Sequence, residues 1–312
     1  MKVGFIGLGT MGGHMAYNCR TKGGFDMMVH DLRREASLRH VEAGAIWADD
    51  VATLARECDV VLTSLPGPKE AKAVGAVLLE HMRKGCPWFD LSTNSPTVVR
   101  ELYAELNKKG IPMLDAPVSG GPSGAKSGKL ALIVGGDRNV FDQHKHVLDA
   151  IGDQVFYVGA IGAGSVAKLV HNMAGYAMQA AIAEVFTMGV KGGVDPLALF
   201  AIIRQCSLGR QRTFDRLAKQ FLPNKYDPPD FALKLAHKDC MLATELAREI
   251  GVPMRIANLA LAEMTEALNR GWGDLDSRSF MRLQLERAGV TIAVEPERIN
   301  EAKERLDPTK QT

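Results

Sequence analysis

The sequence predicts an α/β domain with a doubly wound, mostly parallel sheet, followed by an all-α domain that a long helix enters. In the first half of the chain, short apolar runs alternate with helical patterns. From Ser165 onward the pattern is helical only, and it begins with one unusually long periodic segment. We therefore place the domains at 1–161 and 162–294, and expect a charged, frayed tail at 295–312.

The elements of the first domain follow from its apolar runs, which alternate with amphipathic segments. Strands are predicted at 3–6, 27–30, 59–63, 88–91, 113–114, 130–134 and 155–158. Helices are predicted between them at 10–22, 34–43, 69–82 and 96–108. Strands and helices that alternate at this spacing are typical of a parallel sheet covered on both faces.

The elements of the second domain are predicted from helical periodicity alone. The predicted helices are 165–191, 196–205, 212–221, 231–250, 254–270 and 277–288. Asp195 and Pro196 supply a cap and a first-turn proline to the second of these helices.

Composition excludes several functional classes. The 312 residues are 46% hydrophobic and 24% charged, as in an average globular domain, which argues against disorder or a fibrous protein. The net charge of +2, from 38 basic and 36 acidic residues, gives no general attraction to nucleic acid or an anionic membrane. Nucleic acid and membranes are therefore not expected partners.

Cysteine usage and hydropathy indicate a reducing, cytoplasmic location. The five cysteines form no CxxC pair, so neither a zinc site nor a disulfide framework is predicted. The short apolar run at the N-terminus does not resemble a signal peptide. The most membrane-like window, 169–190, carries His171, Asn172, Gln179 and Glu184, too many polar groups for a lipid-facing span.

A glycine-rich turn after the first strand predicts a dinucleotide site. The turn comprises Gly7, Leu8, Gly9, Thr10, Met11 and Gly12, and it opens a predicted helix. In such a turn the first glycine allows the tight bend, the second lets the backbone approach a pyrophosphate, and the third lets helix pack on strand. The helix N-terminus supplies N–H groups to the phosphates. An ordinary glycine turn is the alternative, but Asp31 supplies the acid expected about 20 residues further on.

Asp31 favours NAD over NADP as the cofactor. A carboxylate at this position accepts hydrogen bonds from a ribose 2′-hydroxyl and repels a 2′-phosphate. Arg33 and Arg34 follow closely and offer an alternative phosphate contact, but solvated charges at a helix start are the preferred explanation.

Two further segments carry candidate chemistry. The segment 115–121 reads DAPVSGG, and its small residues and the Ser119 hydroxyl suit a carboxylate-binding loop, with an ordinary turn as the alternative. The second segment opens the long helix, where Lys168 and Asn172 lie four residues apart on one face. A buried lysine gives up its proton readily, which suits a general acid/base, whereas a snorkelling interface lysine is the alternative. His171 is interpreted as a core or interface histidine.

Together these three segments resemble the β-hydroxyacid dehydrogenase family over roughly residues 1–290. The resemblance also includes Met15, Ala16 and Asn18 in the first helix, and Phe231 and Lys238-Asp239 on a later helix. It implies a Rossmann domain followed by a helical domain through which two or four copies associate.

The resemblance implies a role for each matching residue. Leu65, Pro66 and Thr93 would line the cofactor, as the glycine-rich turn does. Ser119, Gly120 and Gly121 would hold the substrate carboxylate. Lys168 would be the general acid/base, Asn172 would position the substrate or the lysine, and Lys238 would reach both cofactor and substrate.

The implied reaction is NAD-dependent oxidation of a small 3-hydroxy acid, such as 3-hydroxyisobutyrate, to its semialdehyde, without a metal. One alternative is reduction of an aldehyde acid such as tartronate semialdehyde. Another is a dinucleotide-binding interaction module that has lost catalysis. The chain departs from the family at 206–212, where Arg210 and Arg212 offer cations for a second anionic group on the substrate, or simply solvated charge.

Overall fold

The protein is described by a computed structural model covering residues 1–191, 193–205, 217–249 and 255–306. The chain divides into two compact units, Met1–His171 and Asn172–Thr312. This division lies ten residues beyond the expected one between 161 and 162, because the long helix begins within the first unit and continues into the second.

The first unit is built on one nine-stranded sheet. The strands are β1 (Lys2–Ile6), β2 (Asp26–His30), β3 (Ile46–Trp47), β4 (Val60–Thr63), β5 (Trp88–Asp90), β6 (Met113–Asp115), β7 (Val118–Ser119), β8 (Leu130–Gly135) and β9 (Gly152–Gly159). The order is β3-β2-β1-β4-β5-β6-β8-β7, and β9 pairs with β8. Strands β1 to β6 run parallel, β8 runs antiparallel to β6 and β7, and β9 runs parallel to β8. The predicted α/β fold with a mostly parallel sheet is confirmed.

Helices cover both faces of this sheet. They are α1 (Gly12–Thr21), α2 (Leu38–Glu42), α3 (Val51–Glu57), α4 (Pro68–His81), α5 (Pro96–Lys108), α6 (Gly121–Ser127) and α7 (Arg138–Asp149), with a 3₁₀ turn at Arg34–Ser37. Successive strand residues enter opposite cores, so Val60 and Leu62 pack with α1 and α7 while Val61 packs with α3, α4 and α5. Both faces are buried, which explains why the strands appear as continuous apolar runs.

The two shortest strands and three helices of the first unit, α3, α6 and α7, were not predicted. β3 and β7 have two residues each, too few to show alternation. Asp50 caps helix α3, because its side chain accepts a hydrogen bond from the Thr53 amide, and this capping signal was missed.

The parallel strands end level with one another. Ile6 pairs with His30 on one side and with Thr63 on the other. Thr63 then pairs with Asp90, and Asp90 with Asp115. The segments that follow these five residues therefore leave the sheet along one edge, where ligands of doubly wound sheets bind.

Beyond the sheet, the regular elements of the described residues are helices. The helices are α8 (Ala163–Lys191), α9 (Pro196–Gln205), α10 (Leu233–Glu249), α11 (Arg255–Asn269), α12 (Met281–Ala288) and α13 (Pro296–Leu306), with a 3₁₀ turn at Ser277–Phe280. The predicted all-α second domain is confirmed. Part of the predicted helix at 212–221 lies outside the described residues. The expectation of a frayed tail is wrong for α13, because Ile299 and Ala302 are buried.

The first turn of α8 is fastened to the end of β6. The Asp115 carboxylate accepts hydrogen bonds from the Gly162 amide at 2.8 Å and the Ser165 amide at 2.6 Å. A Cβ on Gly164 would overlap the Ile133 carbonyl oxygen and lie 2.7 Å from the Asp115 carbonyl oxygen. Glycine is thus required for the helix to approach the sheet this closely.

Within the described ranges, no helix combines the length and apolar character needed to cross a bilayer.

Replacing Gly164 with alanine is expected to destabilise the protein by about 2 kcal/mol, because backbone atoms must move to admit the methyl group. Gly175, also in α8, has open space around its Cβ position, so Gly175→Ala is the matched control. That control is expected to raise stability by about 0.5 kcal/mol through helix propensity. The thermal unfolding midpoints of the two variants test both expectations. Equal midpoints would contradict the argument that Gly164 is required for close packing.

Candidate active site

The glycine-rich turn between β1 and α1 lies where the strand order reverses, between β1 and β4. Gly7 has φ +93°, and a Cβ there would overlap the Ser64 carbonyl oxygen. A Cβ on Gly12 would overlap the Gly7 carbonyl oxygen. Gly9 instead is exposed and has nothing within 4 Å of its Cβ position. Packing thus explains the outer two glycines, whereas the middle one leaves open space of the kind that a diphosphate requires.

Asp31 follows β2 and holds the glycine-rich turn directly. Its Oδ2 accepts a hydrogen bond from the Leu8 amide at 2.7 Å, and its Oδ1 accepts one from the Arg33 amide at 2.9 Å. Each carboxylate oxygen keeps a further lone pair for a ligand hydroxyl. Arg34 lies 5.8 Å from the centre of the Trp47 ring and 3.9 Å from Asp49, as a surface charge.

The loops after β4 and β5 carry Leu65, Pro66 and Thr93 at the same edge of the sheet. The Leu65 amide donates to the Ser92 hydroxyl at 2.8 Å, so the two loops are tied together. Leu65 and Thr93 are half-buried, and Pro66 is exposed.

Beneath these loops lies Asp90, a site residue that sequence reasoning missed. Its fully buried carboxylate accepts hydrogen bonds from the Thr63 hydroxyl, the Ser92 amide and the Asn94 side-chain amide, at 2.9–3.1 Å. Burial raises the pKa of Asp90, and these hydrogen bonds oppose that change. The Trp88 indole also donates to Thr63, which completes a polar network under both loops.

The segment 119–121 turns from β7 into α6 through two glycines with positive φ, Gly120 at +133° and Gly121 at +63°. Its position relative to α1 is fixed by Asn18, whose buried side-chain amide donates to the Ala125 carbonyl at 2.7 Å. The family-like Asn18 thus joins the helix of the glycine-rich turn to the helix of the serine-containing loop.

Lys168 lies one turn beyond Ser165 in α8 and is buried, with 7% of its surface exposed. Three residues later, His171 Nε2 lies 3.1 Å from the Ser119 hydroxyl oxygen. This hydrogen bond places the 119–121 loop against α8, close to Lys168 in the helix. His171 is exposed, so the core interpretation is wrong, and the interface interpretation stays a prediction.

In the second unit, Asp239 joins the two remaining candidates. The Asn172 side-chain amide donates to Asp239 Oδ2 at 2.6 Å, and Lys238 Nζ lies 3.0 Å from Asp239 Oδ1. Asp239 is buried, with 2% of its surface exposed. Its place beside Lys238 in the sequence was noted, but its contact with Asn172 depends on the packing of α10 against α8.

The candidates are therefore grouped within each unit. The glycine-rich turn, Asp31, Leu65, Pro66 and Thr93 share one sheet edge in the first unit, and Ser119 contacts α8 there. Arg210 and Arg212 lie outside the described residues. Among the described residues, no three His, Cys, Asp or Glu side chains are grouped as metal ligands would be.

Two family models match the chain. Residues 2–159 match the NAD-binding domain of 6-phosphogluconate dehydrogenase, and residues 162–284 match the NAD-binding model of NADP-dependent 3-hydroxyisobutyrate dehydrogenase. Together the two models span both halves of the chain and agree with the observed change from sheet to helices.

Relatives cover the chain almost end to end. It is 32% identical to 2-(hydroxymethyl)glutarate dehydrogenase of Eubacterium barkeri over 94% of the chain and 98% of that protein. It is 34% identical to mitochondrial 3-hydroxyisobutyrate dehydrogenase of Mus musculus over 90% of the chain and 86% of that protein.

A solved structure shares the fold. It is the Mycobacterium tuberculosis 3-hydroxyisobutyrate dehydrogenase with L-serine, which superposes with a TM-score of 0.83 at 28% identity, covering 90% of this chain and 98% of that one. The chain is thus an oxidoreductase that uses NAD or NADP and acts on CH–OH groups, and it belongs to the β-hydroxyacid dehydrogenase family.

Proposed function

We propose that this enzyme oxidises a small 3-hydroxy acid to its semialdehyde, with Lys168 as the general acid/base. The observation that carries the proposal is the hydrogen bond between Ser119 and His171. It brings the loop that suits a carboxylate next to the helix that carries Lys168, three residues before His171. A hydroxy acid held by its carboxylate at this loop would present its hydroxyl to the lysine.

The division of labour follows from the chemistry of alcohol oxidation. The nicotinamide cofactor, when bound, accepts a hydride from the substrate carbon. The protein must therefore take the hydroxyl proton, and Lys168 is the residue proposed to do so. Its burial excludes bulk water from the amine, and the fixed first turn of α8 sets its position. In the reverse direction the same amine returns the proton to the developing alkoxide.

The residues that would hold the cofactor are those at the edge of the sheet. The diphosphate fits the open space at Gly9, and the ribose hydroxyls fit the free lone pairs of Asp31. A carboxylate here favours NAD, because a 2′-phosphate would lie against it. Leu65, Pro66 and Thr93 would line the cofactor.

Asn172 and Lys238 are proposed as substrate-positioning groups. Asp239 accepts a hydrogen bond from the Asn172 side-chain amide and pairs with the Lys238 ammonium group. One buried carboxylate therefore orients both side chains. Lys238 would supply positive charge for the substrate carboxylate or the cofactor.

The names of the relatives define the substrates to test first. They point to 3-hydroxyisobutyrate, L-serine and 2-(hydroxymethyl)glutarate, all of which have a carboxylate and a CH2OH group attached to the same carbon. Reduction of the corresponding aldehyde acids, tartronate semialdehyde among them, uses the same groups in reverse, so both directions belong in the assay.

We also propose that two copies associate through α8. Val170, Ala174, Met178 and Ala181 form an exposed apolar stripe at helical spacing, with Val170 63% and Met178 42% exposed. An uncovered stripe on the longest described helix is typical of an interface between copies.

Replacing Lys168 with alanine is expected to lower kcat by about 10²–10⁴-fold, because the proton acceptor is removed. NAD affinity, measured by protein fluorescence, is expected to stay within a factor of two. Lys168→Arg keeps the charge but cannot release a proton, so it is expected to be equally inactive. Lys145→Ala, an exposed lysine of α7, serves as the control. Near-normal turnover in Lys168→Ala would refute the assignment.

Replacing Asp31 with asparagine is expected to shift the ratio of kcat/KM for NAD to that for NADP by about tenfold or more toward NADP. The asparagine side-chain oxygen can still accept a hydrogen bond from the Leu8 amide. The glycine-rich turn therefore keeps this contact, while the negative charge is lost. The exposed Asp26→Asn is the matched control. An unchanged ratio would mean that Asp31 serves only the turn.

Replacing Met178 with glutamate is expected to convert the wild-type oligomer to monomer in sedimentation velocity at micromolar concentration, because the charge would be buried unpaired. Leu38→Glu introduces the same charge at an exposed leucine of α2 and is expected to leave the oligomer intact. A monomeric wild type would contradict the proposal.

A further inference from the structure

The His171 side chain makes a hydrogen bond with the proposed substrate loop. Its Nε2 lies 3.1 Å from the Ser119 hydroxyl oxygen, across 52 residues of sequence. Ser119 is half-buried in β7, and His171 is exposed on α8, so both side chains can reach a ligand. The residue types of the loop and of the helix do not by themselves predict this hydrogen bond.

The chemistry of the two groups limits how they can share a hydrogen bond with a ligand. A serine hydroxyl has one hydrogen to donate and two lone pairs with which to accept. An ionised carboxylate can only accept. If Ser119 donated its hydrogen to the imidazole, an oxygen lone pair would face the carboxylate, and the two oxygens would repel each other.

Ser119 can therefore serve a carboxylate in one arrangement only. The imidazole must donate its Nε2–H to the serine oxygen, which leaves the serine hydrogen for the ligand. The resulting chain, from imidazole N–H to hydroxyl to carboxylate, ends on a charged acceptor, and such charge-assisted bonds are the stronger kind. Each bond in a chain of this kind also polarises the next.

We propose that His171 is a substrate-positioning residue, whose Nε2–H orients the Ser119 hydroxyl so that its hydrogen is directed at the substrate carboxylate. The inference rests on the proposed function, since it deepens the account of the same site. It assigns His171 no part in proton transfer, which stays with Lys168. Both residues belong to α8 at a separation of three, so they are neighbours on its surface.

This role gives His171 a specific kinetic signature. Loss of the N–H leaves the Ser119 hydroxyl free to turn away from the carboxylate, which weakens binding of the acid in the ground state and transition state alike. When an interaction of equal strength in the ground state and the transition state is lost, KM rises and kcat is unchanged. Cofactor binding is expected to be unaffected, because the residues proposed to hold the cofactor lie in the glycine-rich turn and in the loops after β4 and β5.

The experiment compares His171→Leu, His171→Gln, Ser119→Ala and the double variant Ser119→Ala/His171→Leu in the full-length enzyme. The assay follows NAD reduction with 3-hydroxyisobutyrate and with L-serine. His171→Leu is expected to raise KM for the acid about tenfold, with kcat and NAD affinity unchanged within a factor of two. His171→Gln, whose side-chain amide can donate from a similar position, is expected to recover most of the loss.

The double variant separates this role from others by a thermodynamic cycle. Without Ser119, the imidazole has no hydroxyl to orient, so His171→Leu is expected to have no further effect in the Ser119→Ala background. The exposed His146→Leu, in the last turn of α7, controls for the loss of a surface histidine.

Three results would overturn the inference. Additive effects of Ser119→Ala and His171→Leu would mean that His171 contacts the substrate independently. A changed NAD affinity, or no recovery in His171→Gln, would mean that His171 supports the structure instead. Lys168→Ala, assayed in parallel, distinguishes failure of the His171 role from failure of the proposed function. Full activity of Lys168→Ala, or inactivity of the wild type on both acids, would overturn the proposed function itself.

Discussion

The site depends on one buried carboxylate at the end of β6. Asp115 accepts hydrogen bonds from the amides of Gly162 and Ser165, the groups that a helix start leaves without partners. Burial raises the pKa of Asp115, and the two amides oppose that change. The glycine at 164 lets backbone approach backbone at the same point. The start of α8, and with it the position of Lys168 one turn later, is set by this contact with the sheet.

Other buried polar groups serve the same purpose elsewhere at this edge of the sheet. Asp90 gathers the loops after β4 and β5, and Asn18 ties α1 to α6. Each is a buried polar group with its partners satisfied, and such groups fix geometry because their loss leaves a partner unpaired. The segments that would contact ligand carry small residues, whereas the groups beneath them are polar and inaccessible. In the first unit, the buried polar groups thus hold the loops in place, and the small residues of those loops are left to contact the ligand.

The second unit repeats this arrangement on helices. Asp239 is buried between Asn172 of α8 and its own neighbour Lys238 on α10, so it orients an amide and an ammonium group with a single side chain. In both units a buried aspartate contacts the segment or side chain that resembles part of the family site. The hydrogen bond between Ser119 and His171 extends the pattern, since an imidazole there orients a hydroxyl.

The sequence by itself determined the fold class, the family and most candidate residues, because apolar periodicity and the glycine spacing at Gly7, Gly9 and Gly12 are local properties. It could not predict β3 or β7, which are too short to show a period and exist only because neighbouring strands supply their hydrogen bonds. Tertiary structure alone decided the roles of Asp90, Asp239 and His171. Their partners lie up to 67 residues away along the chain, and only the packed sheet and helices bring them within hydrogen-bonding distance.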